Sequence, residues 1–249
     1  MTKDPHDLTG KVALVTGGTR GLGLEMVRAF ARAGADIVVT SRKVEACAEV
    51  AREVEALGRR AFAYPCHVGR WDDLAGLVDA AYEHFGKVDV LVNNAGMSPL
   101  APSSLETTEE LFDKVVSVNF KGPFRLSSLI GARMYAADGG VIVNVSSTGS
   151  IKPKPRYGPY AGAKAALNAL TMVFALEYAP KVRVNTILAG PFLTDISKAW
   201  PEEARQRSNN ALGRPGRPEE IVTAALYLAS PASSYTNGSL VQVDGGIIY

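Results

Sequence analysis

The sequence predicts a doubly wound α/β domain, a parallel seven-stranded sheet with helices on both faces. Three observations predict it. Short Val-rich apolar runs alternate with longer stretches of helical period, the pattern of βαβ units. A glycine-rich turn follows the first of those runs, at Gly17–Gly23. Seven runs account for the chain and leave no second core, so residues 1–249 read as one domain.

The elements follow in order. Lys11–Thr16 reads as a buried strand, and Leu22–Ala33 as a helix whose apolar positions 22, 26, 27 and 30 share one face before Gly34 closes it. Ile37–Thr40 is the second strand, Val44–Leu57 the second helix and Ala61–Val68 the third strand. A helix over Trp71–Phe85 leads to the strand Val88–Asn93, and a long helical region covers 104–134. Val141–Val145 is the fifth strand, Pro159–Tyr178 a helix, Val182–Leu188 the sixth strand, Pro218–Ser230 a helix and Leu240–Val243 the last strand. Between Pro191 and Pro215 the rhythm breaks. Residues 191–216 are polar and long for a connection, and are expected to form a mobile lid or substrate loop at the ligand-binding end of the sheet.

Composition excludes several function classes. The net charge is +2, and the densest basic stretch, Lys152–Arg156, is broken by prolines, so no stripe suited to nucleic acid or a membrane surface emerges. No run approaches a membrane span. Cys47 and Cys66 read as free thiols in a reducing compartment, and residues 1–9 lack the apolar core of a signal peptide. A soluble cytoplasmic protein is the expectation. No metal site is expected, because His67 forms no ligand spacing with His6 or His84.

The turn Gly17-Gly18-Thr19-Arg20-Gly21-Leu22-Gly23 lies between the first strand and first helix. Glycines there let the backbone turn sharply and approach a pyrophosphate, which the helix N-terminus receives. The arrangement is Rossmann-like, with the spacing Gly-x-x-x-Gly-x-Gly, and it implies a nicotinamide dinucleotide. An NAD site places a carboxylate about 20 residues on to accept from the ribose 2′-hydroxyl. Here the second strand ends Thr40-Ser41-Arg42. Arg42, with Ser41 and with Arg20 from the turn, suits a 2′-phosphate instead, so NADP(H) is expected over NAD(H).

Further on come Asn93-Asn94-Ala95-Gly96, then Asn119, Ser147 and Tyr160-Ala-Gly-Ala-Lys164. In this order the set resembles the compact single-domain branch of the short-chain dehydrogenase/reductase family, over nearly the whole chain from Gly10-Lys11-Val12 to Val243-Asp244-Gly245-Gly246. The chemistry is readable in its own right. Tyr160 and Lys164 are i, i+4 on a helix and share a face. A phenol of pKa about 10 is a poor acid–base near neutrality, and an adjacent ammonium is expected to pull that value down. Tyr160 is the expected proton donor to a carbonyl, or acceptor from an alcohol; Lys164 reaches the nicotinamide ribose; Ser147 orients the substrate oxygen. Ser147 is preferred to Ser146 because it stands thirteen residues before Tyr160, the family's spacing. The resemblance implies that Asn119 holds a water linking Lys164 to solvent. It also implies cofactor contacts from Asn94, Ala95, Gly96, Gly190, Phe192 and Thr194, and a homotetramer packed through the long helices. Tyr157 is the alternative phenol, without a lysine four residues on.

Two positions depart from the family's pattern. Cys66-His67-Val68 stands where Asp-Val is usual; His67 has one acceptor nitrogen with which to replace the Asp at the adenine, while Val68 keeps its backbone contact. Ala189-Gly190-Pro191 replaces the usual Pro-Gly. Met97, Leu100, Ile151, Phe192, Ile196 and Trp200 suggest an apolar pocket for a small hydrophobic or cyclic ketone or alcohol. The reading is an NADP(H)-dependent oxidoreductase interconverting a carbonyl and a secondary alcohol. The alternatives are a non-catalytic dinucleotide-binding sensor or structural subunit, and a longer-branch epimerase or dehydratase, for which the chain leaves no separate substrate domain.

Overall fold

In the computed structural model, which describes residues 4–247, seven strands form: β1 (Val12–Thr16), β2 (Asp36–Ser41), β3 (Ala61–Pro65), β4 (Val90–Asn93), β5 (Gly140–Ser147), β6 (Val182–Ala189) and β7 (Leu240–Val243). All pair in parallel, in the order β3-β2-β1-β4-β5-β6-β7. The chain runs outward from β1 in one direction and from β4 in the other. The switch point therefore lies between them, and the crevice beyond their C-terminal ends is where such a sheet binds ligands.

Among the described residues eight α-helices complete the fold: α1 (Gly21–Arg32), α2 (Val44–Ala56), α3 (Asp73–Phe85), α4 (Glu109–Val116), α5 (Gly122–Ala136), α6 (Gly158–Glu177), α7 (Glu202–Gln206) and α8 (Val222–Ala229). Because strand side chains alternate, each strand feeds two cores. Ala13, Val15, Ile37 and Val39 face one layer with Phe30 of α1, Val50 of α2 and Leu228 of α8. Val12, Leu14, Val38 and Leu91 face the other, with Leu77 of α3, Ile130 of α5 and Phe174 of α6.

Two expectations need correction. The third strand stops at Pro65, three residues early, because the chain turns there: the Arg70 N–H closes onto the His67 carbonyl. The helical region expected over 104–134 starts at Glu109, capped by the Thr108 hydroxyl, which accepts from the Leu111 N–H. It is then interrupted by a π-helical turn at Ser117–Lys121. The expected lid or substrate loop, 191–216, carries local structure of its own. It holds a 3-10 turn at Asp195–Ala199 and α7, and it is bridged at Phe192–Gly216 and Asn210–Ile247.

A file of buried polar side chains crosses the sheet beneath the crevice. Asn93 Nδ2 donates to Asn144 Oδ1 (2.9 Å) and Ser127 Oγ (3.0 Å). Asn144 Nδ2 donates to Thr171 Oγ1 (2.9 Å), and the Thr171 and Thr186 hydroxyls share a 2.6 Å bond. These bonds join β4, β5 and β6 to α5 and α6.

Candidate active site

Every strand from β1 to β6 delivers a part of the site at its C-terminal end. After β1 the chain turns at Gly17, whose φ of +65° suits glycine. Gly23 lets the turn close: a Cβ there would stand 2.2 Å from the Gly17 carbonyl oxygen and 2.5 Å from Asn94 Nδ2. No side chain caps α1 at Arg20, so its first-turn N–H groups have no side-chain partner and can serve an anion. Asn94 Nδ2 donates to the carbonyls of Thr16 (2.9 Å) and Gly17 (3.3 Å), fixing the β4 end against the turn.

These ends open on one cleft of about 1130 Å³. Gly17, Thr19, Arg20, Gly21 and Leu22 line it from the turn, and Ser41 and Arg42 from the end of β2. His67 and Val68 line it after β3, and Asn94, Ala95 and Gly96 after β4. Ser147, Tyr160 and Lys164 form its middle, with Gly190, Phe192 and Thr194 after β6. Gly23 and Asn119 do not line it: Gly23 lies behind the turn and Asn119 is fully buried. Lys43, Lys114, Lys152, Lys154 and Arg207 also line the cleft, although the sequence pattern assigns none of them to the site. Of the expected apolar pocket, Met97, Leu100, Phe192 and Trp200 are present. Ile151 is an exposed side chain outside the cleft lining, a correction explained by its place at the end of the turn Thr148–Ser150. The Ile196 side chain lies outside the described residues.

The two adjacent serines divide their tasks by strand alternation. Ser146 is buried and donates to the Lys164 carbonyl (3.2 Å), whereas Ser147 accepts from the Gly149 N–H (3.0 Å), with the Tyr160 ring beside it: a Cβ on Gly149 would stand 3.4 Å from Ser147 Oγ and 3.8 Å from a Tyr160 ring carbon. Tyr160 and Tyr157 stand with ring centroids 6.1 Å apart. Lys164 is buried, and its Nζ donates to the Val145 carbonyl (2.8 Å).

The expected lowering of the Tyr160 pKa is not found in the chain alone. Loss of water raises it above the ordinary value, the Ser147 hydrogen bond opposes that, and Tyr157 adds to it. Burial instead acts on the lysine, whose pKa falls to about 8 because the ammonium is stripped of water.

Asn119 sits in the π-helical turn. Its Nδ2 donates to the carbonyls of Val115 and Met97 (both 2.9 Å), and its Oδ1 accepts from the Met97 N–H (3.2 Å). Its Oδ1 and Lys164 Nζ lie 3.0 and 3.6 Å from the place a Cβ on Gly96 would occupy. The two side chains are therefore neighbours behind Gly96. His67 is a further correction. Its Nδ1 already accepts from the Gly69 N–H (3.1 Å), so in the neutral ring the proton is on Nε2, which donates. The acceptor nitrogen expected to replace the missing Asp is thus engaged.

Among the described residues no group of His, Cys, Asp and Glu is arranged to hold a metal, and no helix is long and apolar enough to cross a membrane. The cleft does suit a dinucleotide. It joins an uncapped helix end, a turn that closes through Gly17 and Gly23, and cationic Arg42 beside the β2 end.

The family model described as enoyl-(acyl carrier protein) reductase matches residues 17–248. The chain is 35% identical over 249 residues to dehydrogenase/reductase SDR family member 4 of Homo sapiens, covering 98% of this chain and 89% of that protein. It is 36% identical over 250 residues to the 7alpha-hydroxysteroid dehydrogenase of Escherichia coli (strain K12), covering 99% and 97%. A solved 7alpha-hydroxysteroid dehydrogenase, complexed with NADH and 7-oxo glycochenodeoxycholic acid, superposes with a TM-score of 0.94 at 34% identity, covering 100% of this chain and 98% of that one. Matched in sequence over almost its full length and in fold throughout, the chain belongs to the short-chain dehydrogenase/reductase family of NAD(P)-dependent oxidoreductases.

Proposed function

We propose that this oxidoreductase uses NADP(H) to interconvert a carbonyl and a secondary alcohol on a small, largely apolar substrate, with Tyr160 as the proton donor or acceptor. The observation that carries this reading is that Ser147 and Tyr160 line the cleft side by side around Gly149, one helical turn from the buried Lys164. A raised phenol pKa keeps Tyr160 protonated at neutral pH, the form needed to give a proton to a carbonyl oxygen. Ser147 lies close enough to Tyr160 for both to hydrogen-bond that oxygen and fix its direction. When bound, the reduced nicotinamide supplies the hydride to the carbonyl carbon. In the reverse direction Tyr160 takes the hydroxyl proton. Lys164, neighbouring Asn119 behind Gly96, is the group through which the phenol exchanges protons.

The NADP(H) preference rests on Arg42, Ser41 and Arg20 and on the lack of an acid at the end of β2. Lys43, which lines the same end of the cleft, adds to it. Exposed apolar side chains on α5 and α6, Tyr135, Met172, Val173 and Leu176, suit burial against further copies of the chain, as in a tetramer. The cytoplasmic reading rests on Cys47 and Cys66 being free thiols.

The test is titration with NADPH and NADH by intrinsic fluorescence, followed by reduced-nicotinamide absorbance during a ketone and diketone panel. NADPH oxidation that disappears in Tyr160→Phe supports the assignment. NADH preference would remove the cofactor reading and leave the proton chemistry. Turnover that survives in Tyr160→Phe would remove the mechanism.

A further inference from the structure

The cleft carries far more positive charge than the chain as a whole. Among the described residues it is lined by eight lysine and arginine side chains and one carboxylate, Asp195, although the net charge of the whole chain is only +2. The positive excess is therefore gathered at this opening, and the rest of the molecule is net acidic. Arg20, Arg42 and Lys43 stand at the end where cofactor phosphates would lie. They do not account for the others.

Lys152, Lys154 and Arg207 come from two segments that flank the reactive groups, one between Ser147 and Tyr160 and one in the loop after β6. Neither segment is a loose surface loop. Ile151 and Lys152 donate their N–H groups to the Thr148 carbonyl (3.1 and 2.8 Å). Arg156, a non-glycine residue with φ of +71°, holds its Nε on the Ala101 carbonyl at 2.8 Å and ties the first segment across to the stretch after β4. Arg207 follows α7, its N–H on the Glu203 carbonyl at 2.8 Å. The acid in this lining, Asp195, is already paired with Arg20 and Lys198. The same cleft also has an apolar lining, with Met97, Leu100, Phe192 and Trp200.

We infer that the substrate is amphipathic: an apolar body carrying the reacting carbonyl or alcohol, and an anionic group at the other end that Lys154 and Arg207 receive at the mouth of the cleft. This rests on the oxidoreductase reading above and names the substrate class for the same site. A carboxylate and a phosphate share the chemistry required. Exposed cations on a cleft lining attract and orient an anion without touching the reacting atoms, so their effect falls on KM and on association.

The experiment compares one ketone scaffold carrying a terminal methyl ester, carboxylate or phosphate monoester, across a panel of chain lengths, with the full-length protein and NADPH. An anionic member is expected to exceed its ester in kcat/KM by about tenfold at low salt, through KM, and the gap should narrow as salt is added. The better anion tells carboxylate from phosphate. Lys154→Gln and Arg207→Gln should each lower kcat/KM for the anion about threefold more than for the ester. Esters reduced as well as anions, or variants that affect both alike, would overturn the inference and leave the oxidoreductase reading standing. NADPH fluorescence is followed separately, so a failure of cofactor binding would remove the underlying reading, and this inference with it.

Discussion

The guanidinium of Arg20 stands 3.5 Å from the carboxylate of Asp195, joining the glycine turn after β1 to the loop after β6. Gly21 makes the same connection by contact, since a Cβ there would meet the Thr194 side chain at 3.3 Å. Both charged side chains are substantially exposed, so the pair itself is worth about 0.2–1 kcal/mol. A 2′-phosphate would compete with Asp195 for Arg20. Asp195→Asn is therefore expected to tighten NADPH binding about twofold to fivefold at low salt. Arg20→Ala and Arg42→Ala should each weaken it by about tenfold or more, with a much smaller effect on NADH. Parallel titrations with the two cofactors check this; equal losses for both would contradict the assignment.

Tyr160→Phe removes the proton donor while keeping the ring. Turnover should fall by about a hundredfold to ten-thousandfold, with NADPH affinity nearly retained. Ser147→Ala should also cost activity, and it removes the hydrogen bond that opposes the upward shift of the phenol. Its pH–rate profile for alcohol oxidation is expected to move to higher pH. An unmoved profile would show that Ser147 acts only by orientation.

Lys164 makes stability depend on pH in a defined window. Its pKa in the fold is about 8, against an ordinary 10.5. Between those values the unfolded chain holds a proton that the folded chain has released, so this group's contribution to stability rises with pH. Below the window both states are charged and burial costs the fold about 3 kcal/mol. The stability of wild type relative to Lys164→Met should therefore improve between about pH 8 and about pH 10.5, as read by urea unfolding. A difference that stays constant would show that the ammonium is not desolvated.

Gly23→Ala tests the turn. The added methyl would meet the Gly17 carbonyl at 2.2 Å, so the turn or α1 must shift, at a cost of about 1–3 kcal/mol. Loss of NADPH binding should exceed the loss of thermal stability, because the displaced groups are those that line the cleft. Unchanged affinity would mean that the turn does not touch the cofactor.

Much of this was legible in the residue order. Strands such as Val12–Thr16 are short, Val-rich and buried on both faces, and period alone separates them from Gly21–Arg32. That Tyr160 and Lys164 share a helix face was readable from their spacing, and the family resemblance added Ser147; all three line the cleft. Other features were not. A π-helical turn at Ser117–Lys121 is a widening of the backbone that no residue pattern announces, and within it the Asn119 side chain takes the Val115 carbonyl. The state of His67 is decided by the amide of Gly69, a turn that no side-chain pattern announces. Lys154 and Arg207 are fifty-three residues apart, and charge has no spatial address until the loops carrying it are placed around one opening.

The polar file from Asn93 through Asn144 and Thr171 to Thr186 bears on how the chain finds one structure. Hydrophobic burial is tolerant: a Val-rich parallel strand shifted along its neighbour still covers apolar area. The file is not. A shift of β5 by one residue would turn Asn144 to the opposite face, leaving the amide of Asn93 and the hydroxyl of Thr171 without it in a dry interior, at about 1–3 kcal/mol for each group left unpaired. It would carry Ser147 off the cleft wall in the same step. The misregistered sheet is thus penalised by the same displacement that would disable it, so accuracy at the opening is enforced from underneath.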